Sequence, residues 1–421
     1  MKRYTEYKDS GVSWIGDIPG HWEVRRIGSL FVENCVQNIQ KLNTKAYKFF
    51  YGSLVRKDAD IVIDEALLET YSKYTILQPN NIVINGLNLN YDFVSQRVAI
   101  AREEGIITSA YLALSPRQNV NSAFFAFLLK GMDSMKLFHG MGAGIRLTLS
   151  YNELKKASVP IPSPAEQEKI VAFLDKQTNL IESCICLRER ELQTLIELKQ
   201  AKIASAVTRG LNPDVPMKDS GIPWIGMIPA HWEIKKLKYL FNERSEKGYP
   251  DEPVLCSTQK YGVIPQSLYE NRVVVVNKGL EGLKLVEVGD FVISLRSFQG
   301  GIEYAYYRGI ISAAYTVLSP RKGINSEYLK HLLKSQPFIE LLKTCVTGIR
   351  EGQNINYSLL KNKEWAFPPP EEQDAIISYL TNRNIDEYIK SLEKEIEYLK
   401  EYKQRLISDV VTGKVDVRDE A

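Results

Sequence analysis

Between Ile385 and Val410 the apolar positions advance in steps of four and three. Ile385, Ile389, Leu392, Ile396, Leu399, Leu406 and Val410 form the series, and Lys403 breaks it. That spacing predicts a helix with one narrow seam for a partner helix. The first half offers a weaker seam of Ile181, Ile185, Leu192 and Leu195, interrupted by Arg188 and Lys199. From Glu166 to Ala206 no Pro or Gly occurs, and Gly210 and Pro213 close the stretch. Roughly 40 helical residues make a rod of about 60 Å. Each long helix follows a proline connector, Val159–Gln167 in one half and Pro368–Gln373 in the other. Ser163 is placed to cap the first helix, Pro164 suits its first position, and Glu166 complements its dipole.

Outside the helices the pattern is one of short β-branched runs between turns. Predicted strands are Ile61–Ile63, Asn81–Asn85, Val94–Ile100 and Ser109–Pro116 in the first half. Arg272–Asn277, Asp290–Leu295 and Ile310–Leu318 answer them in the second. Phe124–Leu129 begins a helix, Gly140–Arg146 is a glycine loop, and Tyr151–Lys156 is a short helical turn. The fold class is α+β.

The two halves are copies. Trp14-Ile-Gly-Asp-Ile-Pro-Gly-His-Trp22 returns as Trp224-Ile-Gly-Met-Ile-Pro-Ala-His-Trp232, displaced by 210 residues. A period of half the chain means a duplicated domain rather than a short-repeat solenoid. The reading is a globular domain at 1–158 with its repeat block at 7–31, then a spacer helix at 163–209. A second globular domain follows at 210–366 with its block at 217–241, then a spacer helix at 369–412 and a tail at 413–421. An exposed apolar seam is costly, and the matching seam on the other copy is its nearest partner. The short link Leu211–Pro216 cannot span a rod length, so the pair is expected to run antiparallel with pseudo-twofold symmetry.

Composition narrows the function classes. The chain has 421 residues, 44% hydrophobic and 25% charged, with a net charge of +3. These are globular averages, and binding to nucleic acid would depend on a local basic face. Five cysteines (Cys35, Cys184, Cys186, Cys256, Cys345) form no disulfide framework, which suits a reduced, cytoplasmic protein. Cys184 and Cys186 do not face each other on a helix and read as packing. The N-terminus lacks the apolar core of a signal peptide, and no apolar run approaches the ~20 residues of a membrane span. His21 and His231 have no Cys or His neighbours at metal-ligand spacing, so no metal is expected. No Walker lysine, Ser-His-Asp set or Asp/Asn-Pro-Pro-aromatic motif is present; Asn212-Pro-Asp-Val215 departs from the last. No catalytic residue is assigned.

The duplicated Trp-Ile-Gly-x-Ile-Pro-x-His-Trp block resembles the specificity (S) subunit of type I restriction–modification systems. So do the Pro-x-Glu-Gln starts at Pro164–Gln167 and Pro370–Gln373, and the Leu406–Lys414 ending. The resemblance covers nearly the whole chain. It implies a non-catalytic subunit with two target recognition domains, each reading half of a bipartite, asymmetric site in double-stranded DNA. It further implies two methyltransferase (modification) subunits that methylate adenine N6 with S-adenosylmethionine, and two restriction (translocase and nuclease) subunits that use ATP and magnesium. The chain itself would bind no cofactor. In this reading helix length sets the gap between half-sites. The alternative is a two-headed coiled-coil scaffold that binds proteins and has no DNA affinity.

Candidate DNA contacts follow from side-chain chemistry. Asn85, Asn88, Asn90, Gln96 and Arg97 cluster in the first domain, where Asn and Gln suit adenine and Arg suits guanine. Asn-Gly and Asn-x-Asn also simply form turns. In the second domain Arg296, Ser297 and Gln299 are candidates, with a structural hairpin as the alternative. Lys260 and Tyr261 are candidates for phosphate or groove contact. Arg146 and Arg350, in matching glycine loops, reach phosphate or brace their own loops. Trp14, Trp22, Trp224 and Trp232 are alike in two domains expected to read different sequences, which favours a core or partner-facing role over base stacking.

Overall fold

A computed structural model describes residues 2–57, 64–144, 147–269, 279–295, 297–347, 354–381 and 384–420. The strands expected at Ile61–Ile63 and Arg272–Asn277 lie outside them. The chain forms two compact units, Met1–Glu189 with Glu393–Ala421, and Arg190–Leu392. The helix Pro164–Arg209 runs through that division without a break.

In the first unit a four-stranded antiparallel sheet has the order Phe31–Glu33, Leu112–Pro116, Ile82–Ile84, Val98–Ile100. In the second the order is Phe241–Arg244, Thr316–Pro320, Phe291–Ile293, Glu303–Tyr304. The smaller pairings also recur. Glu23–Arg26 pairs with Ser158–Ile161, as Glu233–Lys236 does with Glu364–Phe367. The hairpin Tyr47–Phe50/Ser53–Arg56 answers Leu255–Thr258/Gly262–Pro265. Both units leave one strand at the same crowded place. A Cβ on Gly105 would stand 2.3 Å from the Tyr47 ring, and one on Gly309 2.3 Å from the Pro253 carbonyl. Only glycine fits at either.

Several expected runs are shorter than their sequence pattern, and of Val94–Ile100 only Val98–Ile100 is strand. Ile310–Leu318 divides into Gly309–Ile311 and Thr316–Pro320, with a turn in which Tyr315 N–H donates to the Ser312 carbonyl. The second long helix is also two: Pro370–Leu380 and Asn384–Val411. Thr381 caps the first piece, its hydroxyl bonded back to the Ile377 carbonyl at 2.8 Å. Thr and Asn compete for backbone groups in this way and weaken a helix interior.

The seams pack as their spacing predicts. Ile181, Ile185, Leu392, Ile396, Leu406 and Val410 are buried, while Leu192, Leu195, Ile385, Ile389 and Leu399 are half-buried. Each charged break in a seam meets an acid on the opposing helix. In the first unit Arg188 Nε donates to Glu395 at 3.0 Å and Lys403 Nζ to Glu182 at 3.1 Å. In the second, Lys199 pairs with Asp386 and Tyr388 donates to Glu191 at 2.6 Å. Within each unit the lower-numbered residue of one helix meets the higher-numbered residue of the other, so the helices run antiparallel. Such partly exposed pairs contribute about 0–1 kcal/mol each. Their value is in fixing register.

The repeat block explains the helix starts. Trp22 and Trp232 are buried, and the block that carries each is bonded to the glutamate of the first helical turn. Glu372 Oε2 accepts from Trp232 Nε1 at 2.9 Å and meets His231 Nε2 at 2.7 Å. In the first unit Glu166 meets His21 at 2.9 Å, and its other oxygen accepts the Tyr4 hydroxyl at 2.7 Å. Trp22 Nε1 is buried without a hydrogen-bond partner. Gln167 and Gln373 each donate at 2.9 Å to the carbonyl five residues earlier, Pro162 and Pro368. The Pro-x-Glu-Gln signature is thus a fastener between block and helix. Trp14 is half-buried, and Trp224 is exposed beneath Lys363.

One polar position differs between the copies. In the first sheet Asn34 Nδ2 donates to Asn81 Oδ1 at 2.9 Å, and Asn81 Nδ2 to Ser115 at 3.2 Å. In the second sheet Arg244 Nε donates to Asp290 at 2.7 Å, and its Nη2 to Ser319 at 3.4 Å.

On the helix Ser326–Leu332, burial and then the charge of Lys330 hold the His331 imidazole below its ordinary 6.5. The unfolded chain therefore takes up a proton near that pH that the folded unit resists. Stability should fall as pH drops through about 6.5 and continue to fall until the folded imidazole titrates. Melting temperatures between pH 8 and about 5.5 should decline less for His331→Gln than for the wild type; equal slopes would exclude His331 as the source.

Candidate nucleic-acid interface

The loop between Ile84 and Val98 is built around one buried cation. Arg97 is 1% exposed. Its Nη1 donates to the carbonyls of Asn85 at 3.0 Å and Leu87 at 2.9 Å, and its Nη2 to that of Asp92 at 2.7 Å. The Arg97 backbone N–H donates to Asp133 at 2.7 Å. The expectation that Arg97 faces a base is therefore corrected: the guanidinium is spent on the loop's own carbonyls, a use open to a five-donor group. The Asp92 carboxylate accepts the N–H groups of Ser95 at 2.9 Å and Val94 at 3.0 Å, and those bonds, Ser95 first, hold its pKa low.

The neighbouring amides divide between turn and surface. Asn85 Oδ1 accepts the Leu87 N–H at 3.2 Å, and Gln96 Nε2 donates to Ser134 at 3.2 Å. Asn90 is half-buried, with a carbonyl oxygen that meets no donor. Asn88, at φ 50°, is exposed. The loop's outer face is Asn88 with Tyr91, Phe93 and Val94, and the Phe93 ring stacks on His139 with centroids 4.7 Å apart.

In the second unit the matching segment is a helical turn, Ser297–Gly300, in place of a plain hairpin. Ser297 is buried and its hydroxyl accepts the Ser294 N–H at 2.8 Å, so it ties the turn back to the end of the preceding strand and does not face outward. Gln299 is exposed. Arg296, Arg146 and Arg350 lie outside the described residues. Lys260 and Tyr261 are exposed at the tip of the Leu255–Pro265 hairpin, the Lys260 ammonium 5.1 Å from the Tyr261 ring centroid.

In each unit this hairpin tip touches the loop just described. A Cβ on Gly52 would stand 2.9 Å from Gln96 Cβ, and one on Gly300 2.9 Å from the Gln259 amide carbon. The first hairpin's tip, Phe50 and Tyr51, was absent from the sequence-based candidates. An aromatic pair before Gly has no periodicity that separates it from a strand end. Lys48 lies exposed near the first tip, and Arg56, also exposed, pairs with Tyr47 at the other end of the hairpin. Among the described residues no group of three His, Cys, Asp or Glu side chains is placed to hold a metal. Nor is any helix among them long and apolar enough to cross a membrane.

The model of the type I restriction modification DNA specificity domain matches this chain twice, at residues 19–185 and 229–400. The chain belongs to that family. Its similarity to curated specificity subunits runs nearly end to end. The putative type I restriction enzyme MjaX specificity subunit of Methanocaldococcus jannaschii is 24% identical over 428 residues, covering 96% of each chain. The MjaVIII specificity subunit of the same organism is 24% identical over 422 residues, covering 96% of this chain and 95% of that one. A chain solved in work on complex assembly and conformational transition of the type I R-M system shares the fold. It aligns with TM-score 0.65 at 15% identity, over 94% of this chain and 99% of that one. As a DNA specificity subunit, the chain has sequence recognition as its work, and the two domain copies are where that work resides.

Proposed function

We propose that each unit reads one half of a bipartite, asymmetric site in duplex DNA. The chain docks two methyltransferase subunits and two restriction subunits, which carry out all bond-making and bond-breaking. In this reading S-adenosylmethionine, ATP and magnesium belong to the partners, and the methyl group goes to adenine N6. Extrusion of that adenine from the stack also falls to the partner.

One observation carries the proposal. Where the two copies agree, in sheet order, buried Trp and helix-start Glu and Gln, the residues hold the fold. Where they diverge, at the loop and the hairpin tip beside it, side chains are exposed. That division suits two readers of unequal sequences mounted on one repeated frame. Helix length would then set the unspecified gap.

Titration of the chain, assembled with the methyltransferase of its own system, against duplex DNA at increasing salt tests this. Affinity should fall linearly in log–log form as counterions are released. Absence of DNA affinity at every salt concentration would favour the protein-binding scaffold.

A further inference from the structure

Within that DNA reading, we propose that the β-hairpin Tyr47–Arg56 enters the groove of the first unit's half-site, and that Tyr51 at its tip is a specificity-determining residue. The loop residues weighed from sequence then share the readout with a two-stranded ribbon.

The turn itself points outward in function. Phe50 lies opposite Ser53, so Tyr51 and Gly52 form a two-residue connection, both left-handed with φ 42° and 76°. Such turns favour Asn or Asp followed by Gly, because a side chain at positive φ crowds its own backbone. Tyrosine is a poor choice unless the ring is wanted. Nor does burial repay the strain: Tyr51 is 66% exposed and Phe50 56%. Their rings meet edge to face with centroids 4.7 Å apart. An uncompensated backbone outlier is a reason to look for function at that residue.

The surroundings name the ligand class. Lys48, exposed two residues before Phe50 on the same strand, supplies positive charge near the aromatic tip. Gly52 sits against Gln96, which holds the tip beside the Asn88–Val94 loop. The second unit builds the same composite from other residues, with Tyr261 50% exposed and Lys260 over its ring. Cations with exposed aromatic rings suit a phosphate-flanked stack of bases. A two-stranded ribbon fits the major groove, where an apolar group can contact the thymine methyl. We assign the tip to base-edge contact and the flanking cations to the backbone.

Tyr51→Gly separates this from a structural role, because it relieves the turn while removing the ring. The full chain in its methyltransferase complex should melt no lower than the wild type. Its affinity for the cognate duplex should fall about tenfold, with an unchanged salt slope, as for the loss of one base contact. Methylome sequencing should show relaxation in one half of the site only. Tyr261→Ser should relax the other half. An unchanged motif and affinity for Tyr51→Gly, or a lower melting temperature with uniform loss on all sequences, would overturn the assignment. A wild-type complex without DNA affinity would instead overturn the underlying DNA reading.

Discussion

Exchange of residues 32–158 for the corresponding segment of another specificity subunit is expected to rewrite one half of the recognised site and leave the other half unchanged. The segment holds the hairpin, the Arg97-centred loop and all but the first residue of the four-stranded sheet. It leaves behind Trp22, Glu166 and the strand Glu23–Arg26, which fasten the unit to its helix. What travels includes the exposed, divergent loop and hairpin tip together with the sheet that carries them; what stays is the fastening of the repeat block to the helix. The second unit has its own sheet and its own buried core, including Phe291, Leu318 and Trp365, and nothing in the exchange touches them. Methylation motifs sequenced before and after the exchange measure the result. Alteration of both halves would refute the one-unit, one-half assignment.

The largest stability effect is expected at Trp232. Its side chain is buried with Leu237, Phe338 and Trp365 in the second unit's main cluster. Trp232→Ala should cost about 3–5 kcal/mol, the range for emptying a large aromatic site. Trp232→Phe isolates the hydrogen bond to Glu372 and should cost about 1.5–3 kcal/mol for the charged acceptor, beyond the small change in packing. The equivalent Trp22→Phe should cost less, because Trp22 Nε1 donates to no partner while Tyr4 occupies the free oxygen of Glu166. Denaturant melts of the two Phe variants give the comparison directly. Equal losses would mean that the indole N–H adds nothing at either site.

Much of this architecture is legible without coordinates, because period and residue rarity are local properties of a string. The seam from Ile385 to Val410, the doubled Trp block and the Pro-x-Glu-Gln starts all identify themselves by spacing. The ion pairs that fill the seam's gaps were not legible. Lys403 reads as a fault until Glu182 stands opposite it. Arg97 misleads for the same reason. Its terminal nitrogens donate to the carbonyls of Asn85, Leu87 and Asp92, and which backbone groups converge on a side chain is decided by the fold. Asn85 and Ser297 turned out to shape turns, the competing use that such residues always have. Tyr51 was passed over because its significance lies in a backbone angle. Element lengths failed where hydrophobicity continues through a turn, as between Ile311 and Thr316.

The amide ladder of Asn34, Asn81 and Ser115, set against the Arg244, Asp290 and Ser319 group, has a bearing on inheritance. A recombination crossover falling between the codons for residues 34 and 81 would join one unit's donor to the other's acceptor. Arg beside Asn, or Asn beside Asp, would leave a desolvated charge without its mate. Hybrids of that kind should be purged. Viable descendants should trade whole cassettes, with breakpoints clustered outside the interval from 34 to 81.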